Sequence, residues 1–548
     1  MMSRDIEEIT KNKREIGRNA LKTNITAALA VSESLKSTFG PKGMDKMLVT
    51  DDETVITNSG STILELMELV HPAAKMMAEL GKTQGKGFGD GTTASVIIAG
   101  ELLKKALELV DMGIHQGIIS SGYKTALSKS LEFLDSITME LEQKDIDSIA
   151  LTMLRGKITE ADIRFVSTLV NAAVNLVRGD KDRIYINYRP GGGIKDSTVF
   201  DGVYIDLGKR VHPSMPRNVK NARILLIDRE FDLIKPKHTK LDINSVQSLN
   251  EVVEYKKKVM RAAVGVIARS SVNVVLCSKN IAEEAMFFMA KAGILGVRDV
   301  EKKVMQHIAE ATGAKVLINV NEVSPDVLGY AGYVEESKIG NEEIMYIKKP
   351  KYPNMVASIL IRAGNKTLTI ELMRKMKELV EVLCRVAYDK KILPGGGATE
   401  LELAERLRIF SRRVPGKEQL AIKAFAEALE EIPKILAKNA GINPIDILAG
   451  IKRGHYAGFT NIGFNAVTRK VGDTVEHHIF DSYAVKRNAI ISATEVASLI
   501  VRVDDVFMNK DSKVMMKQKP EEPPQQIVEP PITPQGKFDL RYALKGLR

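Results

Sequence analysis

Three glycine-rich turns hold the residues best placed to do chemistry. They are Gly40-Pro41-Lys42-Gly43-Met44-Asp45-Lys46, Gly89-Asp90-Gly91-Thr92-Thr93 and Pro394-Gly395-Gly396-Gly397, each preceding a long helical pattern or a tight hairpin. A glycine turn at a helix N-terminus exposes backbone N–H groups and the positive end of the helix dipole, which together hold phosphate oxygens. Asp90 amid those amides does not face a phosphate unaided, because like charges repel. A Mg2+ between Asp90 and the phosphates resolves the conflict. Thr92 and Thr93 either cap the next helix or donate to phosphate oxygens. Taken singly, each turn reads better as an ordinary helix start, with Asp90 as a cap.

The usual nucleotide fingerprints fail in context. Gly81-Lys82-Thr83 resembles the end of a P-loop, but Met76 stands where its first glycine belongs. Gly89-x-Gly91-x-x-Ala94 approximates a dinucleotide loop, yet a helix rather than a strand precedes it.

The chain has 548 residues, too many for one hydrophobic core, so roughly two to four domains are expected. Aromatic residues are 5% and Trp is absent, so the core is aliphatic, which favours helices and buried parallel strands. Ala222 to Ile227, Val272 to Cys277, Ile294 to Val297 and Ala314 to Ile318 read as buried strands, with helices at Ile281 to Ala292 and Val300 to Thr312 between them. On either side the pattern is helical, from Asp5 to Ala150 and from Ala398 to Asp505. The exceptions are a hairpin at Met47 to Ile56 and one strand-rich interruption in the second segment. Ser248-Leu249-Asn250-Glu251 reads as a capping box opening a helix towards Arg269. From Lys513 onward the chain is rich in Pro, Gln, Lys and Glu and is expected to be disordered.

The net charge of +11 invites a nucleic-acid reading. The basic residues are interleaved with Glu and Asp along helices, and no nucleic-acid motif occurs, so a solvated basic surface with no specific nucleic-acid partner is expected. No stretch reaches the ~18 apolar residues of a membrane span. Cys277 and Cys384 each lie in an apolar run and are expected to be buried free thiols. The N-terminal residues lack the apolar segment of a secretory signal, and a cytoplasmic protein is expected.

Together the motifs resemble those of the group II chaperonins, the archaeal thermosome and eukaryotic cytosolic chaperonin family. The resemblance runs from about Gly17 to Val506, through Ser37 to Leu48, His71 to Lys75, Gly89 to Thr93, Ala290 to Leu295, Pro394 to Gly397 and Arg502 to Val506. It implies a multidomain chain with an all-α equatorial ATP-binding domain (1–150 and 394–512). A small α/β intermediate hinge domain (151–201 and 362–393) and an α/β apical domain (202–361) would complete it. A helical protrusion near Ile243 to Lys258 would serve as a lid. The resemblance also implies unfolded-protein clients and a double ring, built from one chain type or with paralogous subunits.

Carried over one residue at a time, it assigns ATP phosphates to Gly40, Pro41, Gly43 and the run Asp90, Gly91, Thr92 and Thr93, with Asp90 on Mg2+. Gly396 matches the nucleoside contact, Asp481 an acidic residue near the ribose, and Lys157 a lysine that senses the γ-phosphate. Two positions depart from the pattern. The family's Asn-Asp-Gly reads Asn58-Ser59-Gly60, and the aspartate thought to position the attacking water aligns, counting back from Pro394 without a gap, with Glu378. A positioned general base contributes about 10²–10⁴-fold, and a displacement of ~1 Å can cost about a hundredfold. Nucleotide binding with slow hydrolysis is therefore expected of a chaperonin subunit. The alternative is a hydrolysis-impaired structural or regulatory subunit that co-assembles with active paralogues.

Overall fold

A computed structural model describes residues 12–49, 54–142, 145–156, 158–205, 210–232, 246–339 and 342–509. Lys157 and the tail from Lys513 fall outside the described residues, as do residues 243–245 of the expected protrusion. The chain divides into two compact units, residues 1–22 with 503–548, and residues 23–502.

In the first unit Asn12–Ile16 pairs antiparallel with Asp505–Asn509, and Gly17 N–H donates to Asp504 O at 2.7 Å. The helical reading that began at Asp5 is corrected here. Asn12-Lys13-Arg14-Glu15-Ile16 offers no apolar stripe to a helix, and pairing with the other chain segment satisfies its backbone groups instead.

The second unit is built largely from helices, among them Pro72–Phe88, Thr92–Asp111, Gln116–Ser136, Ala398–Ser411, Glu418–Leu429 and Tyr483–Val501. Val96, Ile97, Ile98, Leu102, Leu103 and Ala106 of the Thr92–Asp111 helix are all fully buried. The first half of this helix is buried nearly all round while Lys104 and Glu108 keep its second half in touch with solvent, and each buried Val, Leu or Ile contributes roughly 1.5–3 kcal/mol by leaving water. The Tyr123 hydroxyl, also buried, donates to Leu102 O at 2.7 Å and ties the Gln116–Ser136 helix to it.

Both end segments also carry short strands. Lys46–Val49 pairs with Thr54–Thr57, as the hairpin pattern predicts. Two further small sheets follow, and the strands between 462 and 482 make up the strand-rich interruption read in the second segment. Lys391–Pro394 lies between Met139–Glu140 and Phe480–Ser482, and Ile462–Asn465 pairs with Lys470–Asp473. These pieces of two to four residues are too short to carry a period. They form because Ile392, Leu393 and Phe480 are buried there, and buried backbone must find hydrogen-bond partners.

Residues 184–363 form a nine-stranded sheet. Its order is Ile184–Pro190, Ala357–Ala363, Thr198–Ile205, Glu342–Pro350, Gly329–Ile339, Asn218–Ile227, Val274–Cys277 and Leu295–Val297, with Val316–Leu317 also on Asn218–Ile227. The Val274–Cys277 strand is buried throughout and pairs parallel on both sides, as the continuous apolar runs require. Helices Val246–Arg269, Glu283–Lys291 and Lys302–Thr312 supply the rest of this core. The helix read as running towards Arg269 is described over Val246–Arg269.

This α/β core runs from Val203 to Val356. A different core joins Ile149 to Val177 with Ala357 to Val386, so two chain segments far apart in sequence share one interior. Asp201 pairs directly with Ala357, where the chain leaves that second core and returns to it. Cys277 and Cys384 are buried and free, and burial pushes the Cys384 thiol up to about 12. Among the described residues, no helix is long and apolar enough to cross a membrane.

Candidate functional site

All three glycine turns open onto one cleft in the second unit. Its free space, counting the open mouth, is about 1530 Å³, ample for a nucleoside triphosphate. The first turn is folded by Gly43 N–H donating to Gly40 O at 3.0 Å, and by Asn439 Nδ2 donating to Lys36 O and Phe39 O at 2.9 and 2.8 Å. The second links two helices head to tail, since Gly89 closes Pro72–Phe88 and Gly91 opens Thr92–Asp111. Gln84 Nε2 fixes that turn by donating to Asp90 O and Val485 O, at 3.0 and 3.2 Å. In the third turn, Phe464 N–H donates to Gly396 O at 2.9 Å, and Gly397 opens Ala398–Ser411.

The Lys366–Asp389 helix closes one side of the cleft. It packs so tightly on the second turn that a Cβ at Gly89, where φ is +75°, would lie 2.6 Å from Glu378 O. Only glycine fits that place. The Glu378 carboxylate meets the residues after the hairpin: Ser59 and Ser61 Oγ lie 3.2 and 3.3 Å from its Oε1. Thr57 Oγ1 donates to Glu371 Oε1 at 3.1 Å. Beneath these contacts the buried Lys375 Nζ is 3.3 Å from Glu371 Oε1 and 3.9 Å from Glu378 Oε2.

Phe464, Ile479 and Phe480 supply apolar wall elsewhere in the cleft, beside Asp481. Lys486 bridges Asp481 Oδ2, at 2.7 Å, to the fully buried Glu400. Burial works to lower the Lys486 ammonium, but the Asp481 and Glu400 carboxylates outweigh it and hold it above the ordinary lysine range.

Two helix N-termini and exposed turn amides beside an apolar wall make a cleft suited to a phosphorylated ligand with a flat base. A divalent cation fits Asp90 in one way. Among the described residues no group of three or more His, Cys, Asp or Glu side chains could hold a metal alone. A Mg2+ held by one carboxylate completes its octahedron with phosphate oxygens and water, so the chain's donors suit a metal that arrives with its phosphate ligand.

The family model described as the TCP-1/cpn60 chaperonin family matches residues 31–511. The chain is 41% identical to the thermosome subunit alpha of Archaeoglobus fulgidus over 514 residues, 91% of this chain and 93% of that one. It is 41% identical to the thermosome subunit of Pyrococcus horikoshii over 511 residues, covering 90% and 92%. For the thermosome subunit alpha of Thermoplasma acidophilum the figure is 40% over 511 residues, covering 91% and 93%. The chain is a group II chaperonin. It is accordingly a molecular chaperone, of a family that binds nucleotide.

In the chaperonin, Gly40, Pro41, Ser59, Asp90, Gly91, Thr92, Thr93, Glu378, Gly396 and Asp481 all line the cleft. Gly43 does not; it serves inside its turn. Lys157 lies outside the described residues, but its neighbour Gly156 touches the first turn, where a Cβ would lie 2.2 Å from Pro41 O. Sequence reasoning missed Ser61, Glu371, Lys375, Gln84 and Lys486. Glu371, Lys375 and Glu378 are spaced four and three apart, so they share a helix face and that spacing was the available signal. Nothing local marks Gln84 or Lys486.

Proposed function

We propose that the chaperonin is a slow Mg2+-dependent ATPase whose nucleotide cycle drives hinged motion around a folding chamber. The observation that carries this reading is the meeting of three glycine turns and the Glu378 carboxylate on one cleft. Amides of Gly40, Gly91 and Thr92, with the hydroxyls of Thr92 and Thr93, would bind the phosphates, and Gly396 would meet the nucleoside. Asp90 would hold Mg2+, which when bound neutralises charge on the phosphate oxygens. Glu378 would orient the attacking water, with Lys157 near the γ-phosphate. Attack forms a bond from water to the γ-phosphorus, breaks the bridging P–O bond and releases ADP and phosphate.

Residues 1–150 and 394–512 would act as the equatorial domain, 151–201 and 362–393 as the hinge, and 202–361 as the apical domain with its protrusion as a lid. The separate cores of 203–356 and of 149–177 with 357–386 support that division. A double ring, of this chain or with paralogues, would enclose unfolded-protein clients in the cytoplasm. Gly156 against Pro41 supports coupling of hinge to cleft.

A specific contact favours a second reading, in which the subunit is structural or regulatory beside active paralogues: the Ser59 hydroxyl engages Glu378 where a second carboxylate would assist the water. The deciding measurement is steady-state ATP hydrolysis by the purified chain, alone and mixed with an active paralogue, with light scattering for assembly. The first reading expects a ring and a slow Mg2+-dependent rate from the chain alone. No rate alone, with full incorporation into a paralogue's ring, selects the second. A monomer under every condition overturns both.

A further inference from the structure

We infer that Lys375 is a positioning residue for hydrolysis, whose buried ammonium holds the Glu378 carboxylate at the cleft while leaving one of its oxygens free for the attacking water. The inference rests on reading Glu378 as the water-orienting group. Glu371, Lys375 and Glu378 stand four and three residues apart on the Lys366–Asp389 helix, so all three share one face. Glu378 lines the cleft, whereas Lys375 and Glu371 do not. Lys375 therefore acts on a bound nucleotide only through the Glu378 carboxylate.

The two Glu378 oxygens are held differently. Oε1 faces the Ser59 and Ser61 hydroxyls at 3.2 and 3.3 Å and is committed to them. Oε2 lies 3.9 Å from Lys375 Nζ, beyond hydrogen-bond reach but well within range of the charge. It is the oxygen left to accept from a water. Glu371 keeps the ammonium at that distance. Its Oε1 lies 3.3 Å from Nζ and also accepts from Thr57 Oγ1 at 3.1 Å, so Lys375 cannot close on Glu378 without leaving an anchored partner. The lysine side chain is only 3% exposed. A methionine would fill much of the same space without the penalty of burying a charge, so the position calls for the charge itself. Asp90 lines the same cleft, and a bound nucleotide adds phosphate charge, so an unsupported Glu378 would be driven away from it. The cation behind the carboxylate opposes that drift.

The test is single-turnover ATP hydrolysis by the assembled protein, with ADP titration to follow affinity. Two backgrounds are compared, the wild type and Glu378→Gln. Into each goes Lys375→Met, and separately Lys375→Met with Glu371→Gln. The second change removes the ammonium together with its nearer carboxylate, which spares the fold an unpaired charge. In the wild-type background both changes should slow the chemical step about ten- to a hundredfold, as a misplaced group does. ADP affinity should stay within about twofold, since only an interaction made in the transition state is lost. In the Glu378→Gln background the same changes should alter the remaining rate less than about twofold, because residues acting as a unit are non-additive. A folded Lys375→Met, Glu371→Gln variant that hydrolyses ATP at the wild-type rate overturns the inference. So does an equal loss in both backgrounds, which a merely structural lysine would give. A wild type without hydrolysis, or a Glu378→Gln variant as fast as the wild type, overturns the water-orienting reading and the inference with it.

Discussion

Ser59 Oγ lies 3.2 Å from Glu378 Oε1 and 2.9 Å from Ser61 Oγ, which itself lies 3.3 Å from the same carboxylate oxygen. Two hydroxyl protons therefore serve three contacts, and each oxygen holds its neighbours in place. The longer glutamate side chain reaches across to the serine loop and is fixed there. Oε1 is committed to these hydroxyls, so only part of the carboxylate remains to orient a water.

Restoring the acidic pair should accelerate hydrolysis. Ser59→Asp with Glu378→Asp is expected to raise ATP turnover about ten- to a hundredfold, the range set by base positioning. Each single change should give only part of that, because groups acting on one water are non-additive. Affinity for ATP should barely move, since the glycine turns are untouched. A parent chain that already turns over as fast as the double variant, in a coupled phosphate-release assay, would show that Glu378 works well as it stands.

Asp90→Ala should weaken Mg2+-dependent ATP binding roughly ten- to a hundredfold, at least what loss of an outer-shell metal partner costs. Binding without Mg2+ should change far less, or tighten as a repelling charge leaves. Equal losses with and without the metal would put the cation elsewhere.

The buried ammonium under the serine loop predicts a stability effect. Lys375→Met leaves Glu371 and Glu378 without the cation between them, and breaking such a buried pair costs about 3–5 kcal/mol. Both carboxylates keep about a quarter of their surface in water, so the loss should fall at the lower end of that range. Pairing the change with Glu371→Gln should recover part of it. Denaturant unfolding followed by near-UV circular dichroism reads the difference, and a neutral Lys375→Met would mean that solvent screens the pair.

Gly156→Ala should impair the cycle more than binding. The new methyl would meet Pro41 O at 2.2 Å, from a backbone with φ of +84° that only glycine adopts freely. ADP titration should give a near-normal affinity, whereas single-turnover hydrolysis should slow about tenfold as the loop is pushed off the first turn. An unchanged single-turnover rate would mean that this contact plays no part in the chemical step.

How far the sequence was legible depended on whether a feature was local. The Gly89 to Thr93 turn and the helix it opens follow from adjacent residues, and both stand where the pattern predicts. The short strands at Met139–Glu140 and Phe480–Ser482 were not separately legible, because two or three residues carry no period and pair across hundreds of positions. The long antiparallel ribbon Gly329–Ile339 with Glu342–Pro350 escaped for a related reason. Glu335, Glu336, Lys348 and Lys349 interrupt its apolar residues, and only the neighbouring strands show which face is covered. Lys486 is the clearest case in the site: Asp481 lies five residues before it, but Glu400 comes from a distant segment, and only the fold brings both carboxylates to one ammonium.

The direct pairing of Asp201 with Ala357 has a consequence for how the chain could have been assembled and how it can be taken apart. The polypeptide departs and re-enters at neighbouring strands, about 5 Å apart in a sheet, so residues 202–356 form a parenthesis in the sequence. Its removal would leave two ends close enough for a short linker to join. The excised piece would carry its own interior from Val203 to Val356. Such a junction lets one segment diverge, melt or be exchanged at little entropic expense to the rest, because the loop closure is already made at its base.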